Sequence, residues 1–330
     1  MAATGGLGIA GLAGCLGEED DVDADDAGGE IDDYEIRYIP HASAATDPFW
    51  ETQELGWEAA VDQLGIEASF QGPREEDYEE QVDNIEAAID AGVDALAVTL
   101  PDPGMFEGAL ERAEEEGIFV TVANVTEDEQ SMPWNGYIGQ DESDVGSQLA
   151  TETLSLFEET TGSIPVEVVI ANHSPGHGAL ETRQEGIETV LDDEGVTHDW
   201  VDIPEGDPAG VISTLESHKA SNEDVELVYT LGPSGGEPAV DWLQDEGYEG
   251  EVFHAGVDMS GTLADAIGDG MNLGQIIQQP FLQGYLAAQY LTNYLVYGIL
   301  PPEHTPTGPT FVSEENLETV ERQIEEVGVA

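Results

Sequence analysis

From residue 34 onward, short apolar runs alternate with longer segments in which apolar residues recur at helical spacing. The short runs predict β-strands over residues 35–40, 66–70, 95–100, 118–122, 166–171, 226–231 and 251–257. A helix, a glycine and a strand follow one another five times, with the glycine at positions 65, 92, 117, 195 and 247. This order is typical of parallel βαβ units, and uniformly apolar strands are expected where helices cover both faces of a sheet. The pattern therefore predicts an α/β fold with two doubly wound parallel-sheet lobes.

The helix after the first predicted strand has a clear start signal. Asp47 is expected at its N-cap and Pro48 in its first turn. Trp50, Trp57 and Leu64 follow at helical spacing and predict one apolar face.

Charge narrows the range of functions. The 330 residues include 72 Asp and Glu but only six Lys and Arg, for a formal charge of −66. Without a cluster of cations, the chain is not expected to bind nucleic acid or an anionic membrane through a basic patch. From residue 35 onward disorder is not expected either, since 40% of the chain is hydrophobic and the apolar residues there are regularly spaced. The repulsion among so many carboxylates is screened best in molar salt, where the Debye length is about 3 Å. We therefore expect a halophilic, archaeon-like source.

The N-terminal segment predicts a membrane anchor. Residues 1–15 are small and apolar and end in Cys15, the single cysteine of the chain, in a pattern that resembles a bacterial-type lipobox. Residues 16–33 are acidic and glycine-rich, which predicts a disordered tether. A free buried cysteine is the alternative, but the segment after Cys15 has too few apolar residues to fold around it. We therefore expect a lipidated Cys15 that holds the protein on the extracellular face of the cell membrane, with no membrane-spanning segment.

Candidate chemistry is expected beyond the carboxyl ends of the strands, where open α/β sheets bind ligands. The corresponding segments are residues 41–50, 100–104, 123–129, 171–186, 230–238, 256–261 and 276–280. They contain aromatic, amide and carboxylate side chains together with Arg183. Aromatic rings stack on the flat face of a sugar, and planar polar groups form paired hydrogen bonds with adjacent hydroxyls.

The sequence gives little support for catalysis or metal binding. No HExxH or CxxC spacing occurs, and no P-loop. Glycosidases need only two carboxylates, so their presence among 72 carries no information. His173 and His177 lie four residues apart in one loop, which makes a metal pair conceivable, but an ordinary loop or a ligand contact is the preferred interpretation. We expect no enzyme activity, no cofactor and no metal.

Four segments occur in one characteristic order: DPFW at 47–50, ETRQEG at 181–186, GVD at 256–258 and IIQQP at 276–280. In order and spacing they resemble the sugar-binding lipoproteins of ABC importers, and more narrowly the ribose/galactose-type (type I periplasmic) family, over residues 34–330. The resemblance implies two lobes joined by a three-crossover hinge, near residues 139–141, 278–280 and 305–307, with a sugar clamped between them. The lobes would be 34–139 with 280–305, and 140–279 with 306–330.

The resemblance also implies roles for residues of the first lobe. Asp47 stands where the family often has Asn or Asp as a hydrogen-bond acceptor for sugar hydroxyls. Its expected role as the helix N-cap is the alternative use of the same side chain. Phe49 and Trp50 match the two aromatics that sandwich the sugar ring. Asn124 stands where the family commonly has Asp, so the identity of the sugar is open. Asp102 is a possible rim contact.

In the second lobe, Arg183 matches an arginine that donates to ring or hydroxyl oxygens. Asp258 matches a hydroxyl-binding aspartate, and Gln278 matches the hinge glutamine. His173 and Gly232 are further rim candidates. Residues 232–234 read Gly-Pro-Ser where ribose-binding relatives have an Asn, so the contact there differs or is made by backbone.

The function implied is capture of a small sugar and its delivery to the transmembrane permease of an ABC importer, by a monomer that meets the membrane only through its lipid. Two alternatives stay open. The same clamp could present a ligand to a sensory receptor, and the guest could be an autoinducer furanose or a nucleoside. A repressor-type relative is disfavoured by the net charge and by the lack of a helix-turn-helix pattern before residue 34.

Overall fold

The computed structural model describes residues 30–43, 48–126 and 132–327. Cys15 and the segment up to residue 29 lie outside the described residues, and so does Asp47. The lipidation of Cys15, the tether up to that point and the role of Asp47 therefore stay predictions.

The described residues form strands and helices that alternate along most of the chain. The strands are β1 (Glu35–Ile39), β2 (Glu67–Phe70), β3 (Ala95–Val98), β4 (Phe119–Asn124), β5 (Tyr137–Gly139), β6 (Glu167–Asn172), β7 (Thr197–Asp202), β8 (Val225–Thr230), β9 (Phe253–Val257), β10 (Asn272–Ile277), β11 (His304–Pro306) and β12 (Thr310–Val312). The helices are α1 (Pro48–Leu64), α2 (Tyr78–Ala91), α3 (Pro103–Glu115), α4 (Glu142–Thr161), α5 (Gly178–Glu194), α6 (Pro208–Ser221), α7 (Pro233–Glu246), α8 (Gly261–Gly268), α9 (Pro280–Tyr297) and α10 (Glu318–Val327).

Two six-stranded sheets define two lobes, as the pattern predicts. The first sheet has the order β11-β5-β4-β3-β1-β2, with parallel pairing throughout. The second has the order β12-β10-β9-β8-β6-β7, and only its edge strand β12 is antiparallel to its neighbour. The five consecutive strands of each lobe repeat one doubly wound order, with the switch point between β1 and β3 or between β6 and β8.

Helices cover both faces of each sheet, which explains why the strands are apolar on both sides. In the first lobe, α2 and α3 pack on one face while α1 and α9 pack on the other. In the second lobe, α4 and α5 pack opposite α6 and α7. The helices α8 and α10 complete a smaller core beside β10 and β12.

One close helix pair in each lobe depends on glycine. A Cβ at Gly56 of α1 would lie 1.9 Å from the carbonyl oxygen of Phe281 in α9. A Cβ at Gly146 of α4 would lie 2.0 Å from the carbonyl oxygen of Arg183 in α5. The backbones can approach this closely only because these positions carry no side chain.

The chain passes between the lobes three times: between β5 and α4, between β10 and α9, and between β11 and β12. The exact residue limits given above for the lobes stay a prediction. No helix of the described ranges is both long and apolar enough to span a bilayer.

The end of the predicted tether needs a correction. Ile31–Asp33 form a short 3-10 helix, and Ile31 packs against the core that contains Trp57. The sequence interpretation placed these residues in the disordered segment because their neighbours are acidic. Ile31, together with the adjacent Tyr34, docks this turn on the first lobe.

Candidate functional site

A cavity lies where the carboxyl ends of strands from both sheets meet. Its lining residues are His41, Ala42, Phe49, Trp50, Glu76, Asn124, Val125, Glu142, His173, His177, Ala179, Leu180, Arg183, Glu205, Gly232, Pro233, Asp258 and Gln278. The cavity has a volume of about 70 Å³.

The aromatic wall comes from the start of α1. Phe49 and Trp50 are each 4% exposed and belong to a small cluster with Ala42. Their ring centroids are 5.0 Å apart and their planes meet at 79°. Rings this close to perpendicular cannot face each other across a sugar, so the two-sided sandwich implied by the resemblance is wrong for this pair. The rings of His41 and Trp50 also meet nearly at right angles, with centroids 4.7 Å apart.

Two polar residues close equivalent strands of the two lobes with unusual backbone. Asn124 ends β4 with φ of 69°, and Asp258 follows β9 with φ of 73°. Left-handed backbone is uncommon for residues other than glycine and concentrates at functional sites, where the surrounding structure holds it in place. The hydroxyl of Tyr137 donates to the carbonyl oxygen of Asn124 at 2.7 Å and so fixes one of these turns.

A relay of amides orients Asp258. Gln140 Nε2 donates to Gln278 Oε1 at 2.9 Å, and Gln278 Nε2 donates to Asp258 Oδ1 at 2.7 Å. A carboxylate only accepts, so Gln278 must present its NH₂ group to Asp258 and its carbonyl to Gln140. The structure thus brings Asp258 and Gln278 together beside the crossing between β10 and α9.

Arg183 is held by protein groups. It is buried, and its Nε and Nη2 donate to Oε2 of Glu142 at 2.9 and 2.6 Å. Its Nη1 donates to the carbonyl oxygen of Leu231. Burial raises the pKa of Glu142, and the charge of Arg183 opposes that shift. A guanidinium has five N–H donors, so about two remain for a guest.

His173 and Gly232 fit together at the floor of the second lobe. A Cβ at position 232 would lie 2.6 Å from Cε1 of His173, so the imidazole occupies space that a side chain would fill. The Nδ1 atom of His173 is buried and has no hydrogen-bond partner among the described residues. A buried polar atom without a partner calls for an explanation such as a bound ligand or water.

The imidazoles of the cavity are neutral at neutral pH. Burial lowers the pKa of His41 well below its usual range, and His177 adds to the effect. Burial, with smaller contributions from His177 and Arg183, lowers the pKa of His173 to about 3. Burial also lowers the pKa of His177, although Glu76 opposes this. These rings therefore act as hydrogen-bonding groups or ligands, not as cations.

Two predicted or suggestive positions fall outside this cavity. Asp102 is exposed at the start of α3 and does not line it. The segment 232–236 has GxSxG spacing, but Ser234 lies in the first turn of α7 and has no hydrogen bond to a histidine in the part of the chain described.

A neighbouring cavity of about 240 Å³ shares Pro233 and Asp258 with the first, and its mostly apolar wall suits a sugar less well.

The structure therefore brings together Phe49, Trp50, Asn124, Arg183, Asp258, Gln278, His173 and Gly232, and their roles toward a ligand stay predictions. Sequence reasoning missed His41, Glu76 and Glu142. Glu142 was hidden among 72 carboxylates, and only its position opposite Arg183 distinguishes it. The one signal available in the sequence was the scarcity of cations: an arginine expected in a ligand-binding cleft needs an acidic partner once it is buried.

Comparison with known proteins supports one family. The model of the family described as "periplasmic binding protein domain" matches residues 41–298. The xylose/arabinose-binding protein XylF of Sulfolobus acidocaldarius is 27% identical over 304 residues, which cover 86% of this chain and 72% of the relative.

Solved structures agree with this family. A carbohydrate transporter from Acidothermus cellulolyticus 11B, in complex with myo-inositol, is 25% identical with a TM-score of 0.79, over 89% of this chain and 99% of that chain. A periplasmic sugar-binding protein of an ABC sugar transporter from Legionella pneumophila is 25% identical with a TM-score of 0.77, over 83% of this chain and 99% of that chain. With the family match spanning most of the two lobes, this chain belongs to the periplasmic binding protein family.

Proposed function

We propose that this protein captures a small neutral sugar in the cavity between its lobes and delivers it to the permease of an ABC importer. The observation that supports this best is the lining of that cavity. Polar groups from strand ends of both lobes converge on one space beside an aromatic wall. A guest held there contacts both lobes, so its binding energy favours the closed arrangement.

Contacts across the cleft support closure as part of the mechanism. Ser174 of the second lobe donates through Oγ to Oε1 of Glu76 in the first, at 3.1 Å. The rings of His41 and His177 also meet across the cleft, with centroids 5.5 Å apart. Closure removes sugar hydroxyls from water, and each buried polar group left without a partner costs about 1–3 kcal/mol. Specificity follows from which hydroxyls find partners.

Charge supports a neutral guest. Arg183 is paired with Glu142, while Glu76, Glu205 and Asp258 add three further carboxylates to the wall. A phosphorylated or acidic sugar would meet net negative charge in a partly desolvated space, where like charges repel strongly. One relative is named a xylose/arabinose-binding protein, and another was solved in complex with myo-inositol. Both are consistent with a pentose or a cyclic polyol as the ligand of this protein.

The proposal includes placement outside the membrane, on a lipidated Cys15 with residues 16–29 as tether. The dense acidic charge supports a high-salt environment, in which its repulsion is screened. The protein acts as a monomer, without catalysis. Membrane fractionation of a Cys15→Ser variant tests the anchor, which the variant should lose.

Calorimetric titration in molar salt tests the binding function. We expect one site for a pentose or cyclic polyol and no binding of the corresponding sugar phosphates. Asp258→Asn removes a charged acceptor and should weaken binding by about 1–3 kcal/mol, or roughly 5- to 150-fold. Asp265→Asn changes an exposed carboxylate of α8 in the same lobe and should leave the affinity unchanged. Equal affinities for both variants would remove Asp258 from the site, and no binding of any neutral sugar would overturn the proposed function.

A further inference from the structure

Three side chains of types that can ligate a metal line the same cavity as the amide and arginine contacts described above. His41, Glu76 and His177 each offer one ligand atom, and these atoms all lie within 4.8 Å of one another. His41 and Glu76 belong to the first lobe and His177 to the second. The sequence predicted no metal, because its one conceivable pair was His173 with His177 and the residues of this triad are separated by up to 136 positions (177 − 41).

The ring of His41 is oriented from behind. Its Nδ1 lies 2.8 Å from Oγ1 of Thr99. The same hydroxyl oxygen accepts a hydrogen bond from Nε2 of Gln81 at 3.0 Å. This contact leaves Nε2 of His41 as the nitrogen available to an ion. Histidine ligands of metals nearly always have their second nitrogen held in this way, which fixes the tautomer and the ring orientation.

The other two groups are prepared in different ways. Glu76 Oε1 accepts hydrogen bonds from the hydroxyl of Tyr78 at 2.7 Å and from Oγ of Ser174 at 3.1 Å, which fixes the carboxylate in the cleft. His177 is 8% exposed, and its Nδ1 is buried without a hydrogen-bond partner among the described residues. A buried ring nitrogen that no protein group satisfies is the independent observation that points to a ligand.

We propose that His41, Glu76 and His177 bind one divalent transition-metal ion, of the zinc class, between the lobes in the wall of the cavity. Two imidazoles and one carboxylate are a known zinc ligand set, in which a fourth position stays open for water or another oxygen. Metal–ligand distances of about 2.0–2.2 Å place tetrahedral ligand atoms about 3.5 Å apart. The 4.8 Å within which the ligand atoms now lie exceeds this spacing by about 1 Å, so small side-chain rotations would bring the triad to it.

The ion would join the lobes. Because its ligands come from both lobes, it binds the closed form more tightly than the open form and so shifts the population toward closure. This inference goes beyond the proposed function, and its test needs no sugar.

The test uses the full chain after treatment with a chelator, in molar NaCl with excess Mg²⁺ to occupy the surface carboxylates. Titration with Zn²⁺ should show one strong site per chain, and Co²⁺ should give the visible absorption of a low-symmetry complex with nitrogen ligands. Glu76→Gln and His177→Ala should each weaken Zn²⁺ binding by about 100-fold or more, since even outer-shell changes cost about 10–100-fold. His304→Ala, which removes an exposed histidine of β11, should change it less than about threefold.

Glu76→Gln keeps the shape of the side chain, so it also serves as a control for loss of folding. Zn²⁺ should raise the melting temperature of the wild-type chain and of His304→Ala, but not that of Glu76→Gln, because only an ion bound to the native state stabilises it. Equal Zn²⁺ affinity in all the variants would overturn the site, as would the absence of a one-to-one complex in the wild-type chain.

Discussion

A pair of variants can separate the structural role of the ion pair between Arg183 and Glu142 from the binding role that we propose for Arg183. The two side chains are only 4% and 8% exposed. Glu142→Ala leaves a buried guanidinium with the Leu231 carbonyl as its remaining described partner, and breaking a buried pair in this way costs about 3–5 kcal/mol. The double variant Arg183→Met with Glu142→Leu removes both charges and should recover most of that loss, since apolar replacements of buried pairs are often neutral or stabilising.

Urea unfolding in molar salt gives the stabilities, and calorimetry with the sugar bound by the wild-type chain gives the affinities. The double variant should be folded but should bind at least about 30-fold more weakly, because it lacks the guanidinium donors that face the cavity. Asp90→Asn is the control: it removes the charge that pairs with Arg112 at the surface, and it should leave the stability nearly unchanged because exposed ion pairs contribute little. A Glu142→Ala loss no larger than the control, or wild-type affinity in the double variant, would refute this reasoning.

Further predictions concern packing and pH. Gly146→Ala places a methyl group against the Arg183 carbonyl and should destabilise the protein by about 1–3 kcal/mol, whereas Gly108→Ala, with open space around it, should stabilise by about 0.5–1 kcal/mol. Burial lowers the pKa of His254 to about 3, so its contribution to stability is complete above about pH 6.5 and is lost as the pH falls toward 3. Urea unfolding at pH 7 and 4.5 should show about 3 kcal/mol less acid destabilisation in His254→Gln than in the wild-type chain; equal pH dependence would contradict this.

Much of the fold is predictable because helix and strand periods leave direct marks on the sequence. Gly92, Gly195 and Gly247 follow predicted helices, and each has the left-handed backbone that ends a helix. Strand limits are less exact: β4 continues to Asn124, and the last predicted strand begins at Phe253 instead of residue 251. Backbone pairing with neighbouring strands decides those ends, and a single strand does not reveal it.

Residues of the candidate site that directly follow a strand could be predicted from the sequence. Contacts between segments distant in sequence could not. Asp258 and Gln278 follow strands directly, so the rule for open sheets is enough to find them. The relay from Gln140 and the pairing of Glu142 with Arg183 join segments that are distant in sequence. The perpendicular planes of Phe49 and Trp50 depend on how α1 docks, which residue identity does not reveal.

A crystal structure of the chain grown with the sugar that it binds most tightly is the most direct test of the account. We expect the sugar between the lobes, within hydrogen-bonding distance of Asp258 and Gln278 and beside the Phe49–Trp50 wall. A sugar bound elsewhere, or a cleft filled by the protein's own side chains while the sugar is bound, would contradict the account.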